Sequence, residues 1–292
     1  MIPGSFDYVT ANSVPEALAL LKEHGDDAKI LAGGHSLIPL LRYRLAAPAV
    51  LIDINHIDGL EYIQETDGTL HIGALTREAE LDASPLIRNR YPILYETAKN
   101  IADPVVRNWA TVGGNLAHAD PANDHPATML ALGALLVAEG PAGKRFIPVD
   151  EFFGENAFET TLQAGEMLTE IRVPAPTEGC GGAYLKLERK VGDYAIAGVA
   201  AYVRLDAAGL VTYAGIGLTN VGPAPIKARA AEQFLLGKPL DEHTIQQAAD
   251  LAAAASQPTS DTRGPAEYKR AMVHTLCTRA LNKAHARATG GA

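Results

Sequence analysis

Cysteine is scarce: the 292-residue chain has two, Cys180 and Cys277, far apart in sequence. Two thiols cannot supply the four ligands of an ordinary iron–sulfur cluster. They make no disulfide framework either, and a bridge is unexpected in a reducing compartment. Long apolar runs are missing too. No uninterrupted stretch approaches the roughly 20 residues that span a bilayer, and Met1-Ile2-Pro3-Gly4-Ser5-Phe6-Asp7 has neither the basic nor the apolar region of a secretory leader. The expected compartment is the cytoplasm. Basic charge is in deficit, with 25 Lys and Arg against 34 Asp and Glu and a formal net charge of −9. A broad nucleic-acid or anionic-membrane surface needs the opposite balance. Arg42, Arg44, Lys186, Arg189 and Lys190 still leave room for one anionic ligand. No G-x-G-x-x-G opens a helix after a strand, and Gly143-Lys144 lacks both the upstream glycine and the following Ser or Thr of a P-loop. No Ser-His-Asp or reactive Cys-His arrangement is evident, so no catalytic residue is assigned.

Glycine is present where it carries information. Two pairs close apolar runs and precede small polar residues: Ala32-Gly33-Gly34-His35-Ser36 and Thr111-Val112-Gly113-Gly114-Asn115. A tight turn after Lys29-Ile30-Leu31 would leave unpaired backbone N–H groups around a concavity that suits phosphate oxygens. Glycine takes positive φ freely and, lacking Cβ, lets a bulky anion approach the backbone. Each pair alone reads equally as turn punctuation. Together, with Ser36, Thr111 and Asn115 as side-chain donors, they suggest a dinucleotide held across its pyrophosphate. Gly181-Gly182 reads as an ordinary turn.

With 47% hydrophobic and 20% charged residues, the composition is that of a globular protein long enough for about two domains. Ser13-Val14-Pro15-Glu16 forms a capping box ahead of a helix. A βαβ unit is predicted next, from strand Lys29 to Ala32, helix Leu37 to Leu45 and strand Val50 to Ile54. Strands at Glu61 to Gln64 and Leu70 to Ala74 flank a Thr66-Asp67-Gly68 turn, and helices follow near Arg77 to Leu81 and Ile93 to Ile101. A boundary is expected at Pro174 to Gly179. Beyond it come a meander (Ala183 to Arg189, Gly198 to Leu205, Val211 to Leu218) and helices at Ala228 to Leu236, Glu242 to Ala255 and Glu267 to Ala286. On the last helix, Tyr268, Met272, Leu276 and Ala280, with Val273, Cys277 and Leu281 beside them, form one apolar stripe.

His118, Asp120, Asp124 and His125 raise the question of a metal, but their spacing matches no metal motif and a ligand-positioning loop is the better reading. Asp124 suits the hydroxyls of a polyol. His35 offers its backbone amide as readily as its ring. Spacing alone makes Lys186 to Tyr194 a solvated strand edge; the competing reading puts Lys186 near an anion and Tyr194 at a loop tip.

The chain resembles the FAD-binding medium subunit of the molybdenum hydroxylases, of the carbon monoxide dehydrogenase branch. The resemblance runs through Leu31 to Leu37, Leu51 to Asn55, Ile101 to Asn108, Thr111 to His118, Pro121 to Ala127, Glu170 to Pro174, Arg189 to Ala195 and Leu218 to Val221. It implies an α+β chain: a vanillyl-alcohol-oxidase or PCMH-type FAD-binding fold over residues 1–176, with subdomains of about 1–57 and 58–176. A C-terminal domain of β-meander plus helices follows over 177–292. The FAD pyrophosphate is then expected on Ala32, Gly33, Gly34, His35 and Ser36 and on Thr111, Val112, Gly113, Gly114 and Asn115. Ile101, Ala117, Asp124, Leu168 and Lys186 are expected around the cofactor, and Tyr194, where close relatives often carry Trp, near the isoalloxazine. No metal is assigned to this chain. The implied partners are a large subunit with molybdenum-pterin and a small subunit with two [2Fe–2S] clusters, in a dimer of heterotrimers. This chain is expected to pass electrons to an external acceptor, which could bring it to a membrane surface. A self-sufficient flavin oxidoreductase on the same fold and a non-catalytic metal-binding or scaffold protein are the alternatives.

Overall fold

Short apolar runs punctuated by turn formers build three separate sheets in the computed structural model, which describes residues 2–291. The first is small and parallel, with β1 (Asp7–Thr10), β2 (Ala28–Leu31) and β3 (Val50–Asp53) in the order β1-β3-β2. Helix α1 (Val14–His24) starts where the Ser13 side chain accepts the Glu16 N–H and Pro15 fixes the first turn. Glu16 returns its bond to the Asn12 N–H rather than to Ser13, so the capping box closes one residue early. The predicted parallel crossover is present, but α2 (Leu37–Arg42) is shorter than expected. Arg44, at φ +58, reverses the chain before Leu45.

The second sheet is five-stranded and antiparallel. It consists of β4 (Ile63–Thr66), β5 (Thr69–Gly73), β6 (Leu135–Gly140), β7 (Gly143–Pro148) and β8 (Met167–Pro174), in the order β4-β5-β8-β6-β7. Asp67 and Gly68, both at positive φ, make the tight β4–β5 turn. Between β5 and β6 run α3 (Glu78–Ala83), α4 (Pro85–Arg90), α5 (Pro92–Asn100), α6 (Pro104–Arg107), α7 (Val112–His118) and α8 (Asp124–Leu132). The apolar stretch 127–138 spans two elements, α8 and β6, divided where Gly133 (φ +64) ends α8.

The third sheet is the expected meander: β9 (Cys180–Leu187), β10 (Ala197–Leu205), β11 (Val211–Thr219) and the short β12 (Ile226–Lys227), antiparallel in the order β12-β11-β10-β9. Helices α9 (Arg229–Leu235), α10 (Glu242–Ala255) and α11 (Ala266–Ala288) cover it. Two expectations need correction here. Gly181 and Gly182 are strand residues, not a turn; a Cβ on Gly181 would lie 2.0 Å from the Ala284 carbonyl oxygen, so its absence lets α11 lie against β9. The predicted stripe of α11 is buried at Val273, Leu276, Cys277, Ala280 and Leu281, but it extends to Lys269 and Ala284, while Met272 is only partly buried and Tyr268 is exposed. Lys269 can be buried because it ion-pairs with Asp261 at 2.7 Å.

Helix α8 links the second and third sheets. All nine of its residues are buried, and it packs on β8, β10 and β11. Burying each large apolar side chain of such a helix contributes about 1.5–3 kcal/mol. The load on α8 fixes the position of its first residue, Asp124, relative to both sheets.

Candidate functional site

The two glycine segments meet. A Cβ on Gly33 would lie 2.2 Å from the Trp109 carbonyl oxygen, so only glycine allows the loop after β2 to touch the chain just ahead of α7. A hydrogen-bonded chain pins the same junction. Asn55 Nδ2 donates to the Ala32 carbonyl at 2.9 Å, Arg77 Nη2 donates to Asn55 Oδ1 at 2.8 Å, and Arg77 Nη1 donates to the Trp109 carbonyl at 2.7 Å. Asn55, Arg77 and Trp109 were not singled out from sequence as site residues. Of the three, only Asn55 lies within a recognised motif, and nothing local announces that Arg77 reaches it.

Despite their similar sequences the segments differ in conformation. Gly34 takes φ +74, and among the described residues the N–H groups of Gly33, Gly34, His35 and Ser36 find no acceptor. These are the open donors that a phosphate needs. The second segment is not a loop. Thr111 caps α7 by accepting the Gly114 N–H at 3.1 Å, and Gly113 and Gly114 form its first turn. Its amides are already spent: Val112 donates to the Thr76 carbonyl, Gly113 to that of Ala74 and Asn115 to that of Thr111. Gly113 is glycine for packing, since a Cβ there would lie 2.6 Å from the Ala74 oxygen; Gly114 and Ala117 are exposed along one side of the helix, and a Cβ on Gly114 would crowd the cap, 2.6 Å from Thr111 Oγ1. Leu168 lies at the start of β8 in the hydrophobic core, one residue from Thr169, whose carbonyl accepts the Ala74 N–H.

Lys186 corrects the spacing argument. Its side chain is 1% exposed and donates to the Asn100 carbonyl at 2.5 Å and to Asp124 Oδ2 at 3.0 Å, with Glu188 at 3.3 Å. Asp124 also accepts from the Tyr184 hydroxyl. Burial pushes the Asp124 carboxyl up, against the pull of Lys186 and Tyr184, and burial beside Asp124 raises the Tyr184 phenol. Ile101 caps α5 next to Asn100 and is buried. Ala102 follows at φ +45, against Gly192, whose Cβ would lie 2.6 Å from the Ala102 oxygen. Tyr194, two residues on, is 45% exposed; burial of its hydroxyl, then Asp120 and Asp124, raise its phenol.

The imidazoles separate. His125 and Glu78 form a fully buried pair at 2.8 Å, while His118 packs on Phe158 with ring centroids 5.0 Å apart. Among the described residues no three His, Cys, Asp or Glu side chains are placed to share a metal, and no helix is long and apolar enough to cross a membrane. Partial desolvation of His35 and burial of His118 hold both below the usual imidazole range, with Asp103 and Asp120 opposing.

A loop of open amides beside a capped helix, with an exposed aromatic and a buried lysine further along, fits an extended dinucleotide. Residues 4–176 match the family described as the FAD binding domain in molybdopterin dehydrogenase, and residues 182–284 match the CO dehydrogenase flavoprotein C-terminal domain. The chain belongs to this family of FAD-binding medium subunits of molybdenum hydroxylases, of carbon monoxide dehydrogenase type. It is 48% identical to the carbon monoxide dehydrogenase medium chain of Hydrogenophaga pseudoflava, covering 98% of this chain and 99% of that one. A solved carbon monoxide dehydrogenase from the same organism, lacking the Mo-pyranopterin moiety of its molybdenum cofactor, superposes with a TM-score of 0.95 over 98% of this chain and 99% of its own. The 6-hydroxypseudooxynicotine dehydrogenase complex subunit alpha of Paenarthrobacter nicotinovorans is 43% identical over 99% of this chain and 97% of its own length. The chain is thus an oxidoreductase subunit whose cofactor is FAD.

Proposed function

We propose that this chain is the electron-transfer subunit of a heterotrimeric molybdenum hydroxylase. It receives electrons from two [2Fe–2S] clusters on a small partner, which draws them from a molybdenum-pterin centre on a large partner, and delivers them to an external acceptor. The observation that carries this reading is the run of four unspent N–H groups at Gly33–Ser36, held against Trp109 in a chain related to carbon monoxide dehydrogenase medium chains over its length. Bound FAD supplies the redox chemistry and connects one-electron carriers to two-electron acceptors. The protein binds, orients and shields it.

In this reading Gly33, Gly34, His35 and Ser36 hold the pyrophosphate with their amides. Thr111 and Asn115 add side-chain donors, and Gly113 lets α7 approach. Lys186 and Asp124, neutralising each other in the interior, set the floor near the sugar alcohol chain. Tyr194 covers a face of the ring system. Residues 1–176 act as the FAD-binding domain, with subdomains meeting near residue 57, and 177–292 as a domain that carries Tyr194 to it. We place the complex in the cytoplasm as a dimer of heterotrimers, reaching a membrane only through its acceptor. The related chains named above serve enzymes for carbon monoxide and for a nicotine-derived compound, so the substrate is chosen by the large partner.

Co-expression with and without the two partners tests this. The isolated chain should hold FAD non-covalently and oxidise no substrate of the complex, with activity appearing only in the three-subunit assembly. Steady turnover by the isolated chain favours the self-sufficient flavin enzyme instead.

A further inference from the structure

The loop carrying Tyr194 is held from an unexpected direction. Arg263 lies between α10 and α11, about 70 residues away, and its Nη2 donates to Asp193 Oδ1 at 3.1 Å. Its guanidinium carbon stands 5.6 Å from the centroid of the Tyr194 ring. Asp193 Oδ1 also accepts the Tyr194 N–H at 2.8 Å, and Asp193 Oδ2 accepts from Arg189 at 3.2 Å. The Arg263 hydrogen bond leads the causes that keep the Asp193 carboxyl below its usual range.

Arg263 is itself anchored. Asp261 Oδ1 accepts from the N–H groups of Arg263 and Gly264, at 2.8 and 3.2 Å, and Nζ of buried Lys269 donates to Asp261 Oδ2 at 2.7 Å. A relay of contacts thus runs from the core of α11 through Lys269, Asp261, Arg263 and Asp193 to the backbone of Tyr194. One donor is left over: Arg263 Nε is buried without a partner among the described residues. Such a group costs stability unless something outside the chain satisfies it.

We propose that Arg263 is a positioning residue for the flavin. It fixes the Asp193–Tyr194 backbone by its bond to the Asp193 carboxylate and holds the tyrosine ring by cation–π contact, so that the aromatic meets the isoalloxazine in one orientation. This rests on the placement of Tyr194 beside the ring, argued above. Spacing does not show it, because the partners come from different elements, brought together in a fold where α11 packs on β9 and β10.

The test uses the assembled complex and the FAD-free chain, with Arg263→Ala, Arg263→Lys, Asp193→Asn and Tyr194→Ala. In Arg263→Ala the amides of Gly192 to Tyr194 should exchange about tenfold faster in the FAD-free chain, as expected for a loop that loses a bond to a charged partner. The FAD midpoint potential and the rate of flavin reoxidation should shift in the same direction as in Tyr194→Ala, while FAD content stays full. Arg263→Lys keeps the charge but loses the planar fork and should restore only part of the wild-type rate. Asp193→Asn should reproduce Arg263→Ala, and the double variant should be no worse than either single one. Unchanged amide exchange in a folded Arg263→Ala overturns the proposal. Faster exchange with flavin behaviour unchanged also overturns it, provided Tyr194→Ala does alter the flavin. If Tyr194→Ala leaves potential and reoxidation untouched, the tyrosine's placement is wrong and the proposal falls with it.

Discussion

Two glycine pairs that look alike in sequence do different work in this molecule. After β2, Gly33-Gly34 makes a true loop with four consecutive unspent amides. At the start of α7, Gly113-Gly114 lies inside a helix whose first-turn amides are all bonded within the chain. The first pair leaves its amides open to the outside; the second lets the helix pack closely on the inside. In the proposed phosphate site, an open donor loop would face a rigid, close-packed abutment, and glycine is required on both sides for separate physical reasons.

The comparison predicts unequal variants. Gly34→Val should be the most severe for FAD. It combines a β-branched residue at φ +74 with a Cβ 2.7 Å from Ile38 Cδ1, and distorting charge-assisted bonds to the pyrophosphate costs about 1.5–3 kcal/mol, roughly ten- to a hundredfold in Kd. Flavin absorbance after desalting checks this, with near-ultraviolet circular dichroism to confirm that the chain is folded. Gly113→Ala should reverse the pattern. Its Cβ overlaps the Ala74 backbone, so the FAD-free chain should lose about 1–3 kcal/mol of stability, read by denaturant unfolding. Equal loss of FAD by both variants, with both stabilities unchanged, would erase the distinction. Thr111→Val should cost about 1 kcal/mol through the lost cap and weaken FAD less than Gly34→Val does.

The smallest effect is a pH dependence confined to the loop. Partial desolvation keeps His35 below the usual 6.5, against the pull of Asp103. The unfolded chain then binds the proton more readily than the folded one, so this contribution to stability is present above 6.5 and lost as pH falls toward the folded value. A pyrophosphate beside the ring raises the pKa again, and FAD should bind about threefold tighter as pH falls through the same window. Titration calorimetry from pH 8 to 5.5 should show this in the wild type and not in His35→Asn; an identical slope in both excludes His35.

Local pattern made much of the fold legible. Alternation and turn residues marked the β2–α2–β3 crossover and the β9–β11 meander because neighbours in sequence are neighbours there. The capped start of α7 was hidden, since Gly-Gly after a strand-like run reads as a turn and the deciding contact, Gly113 against Ala74, spans two elements. Lys186 read as a solvated edge for the same reason: Asp124, its partner 62 residues away, is brought to it by burial of α8. The Asn55–Arg77–Trp109 bridge likewise joins positions 22 and 32 residues apart, across the two sheets flanking the site.

Amide hydrogen exchange on the chain with and without FAD tests the division between the two pairs most directly. The amides of Gly33 to Ser36, open in the free chain, should slow at least about tenfold on binding. Those of Val112 to Asn115 should be protected already and change little. Fast exchange at Val112–Asn115 in the free chain, slowed by FAD as much as the first loop or more, would contradict the account.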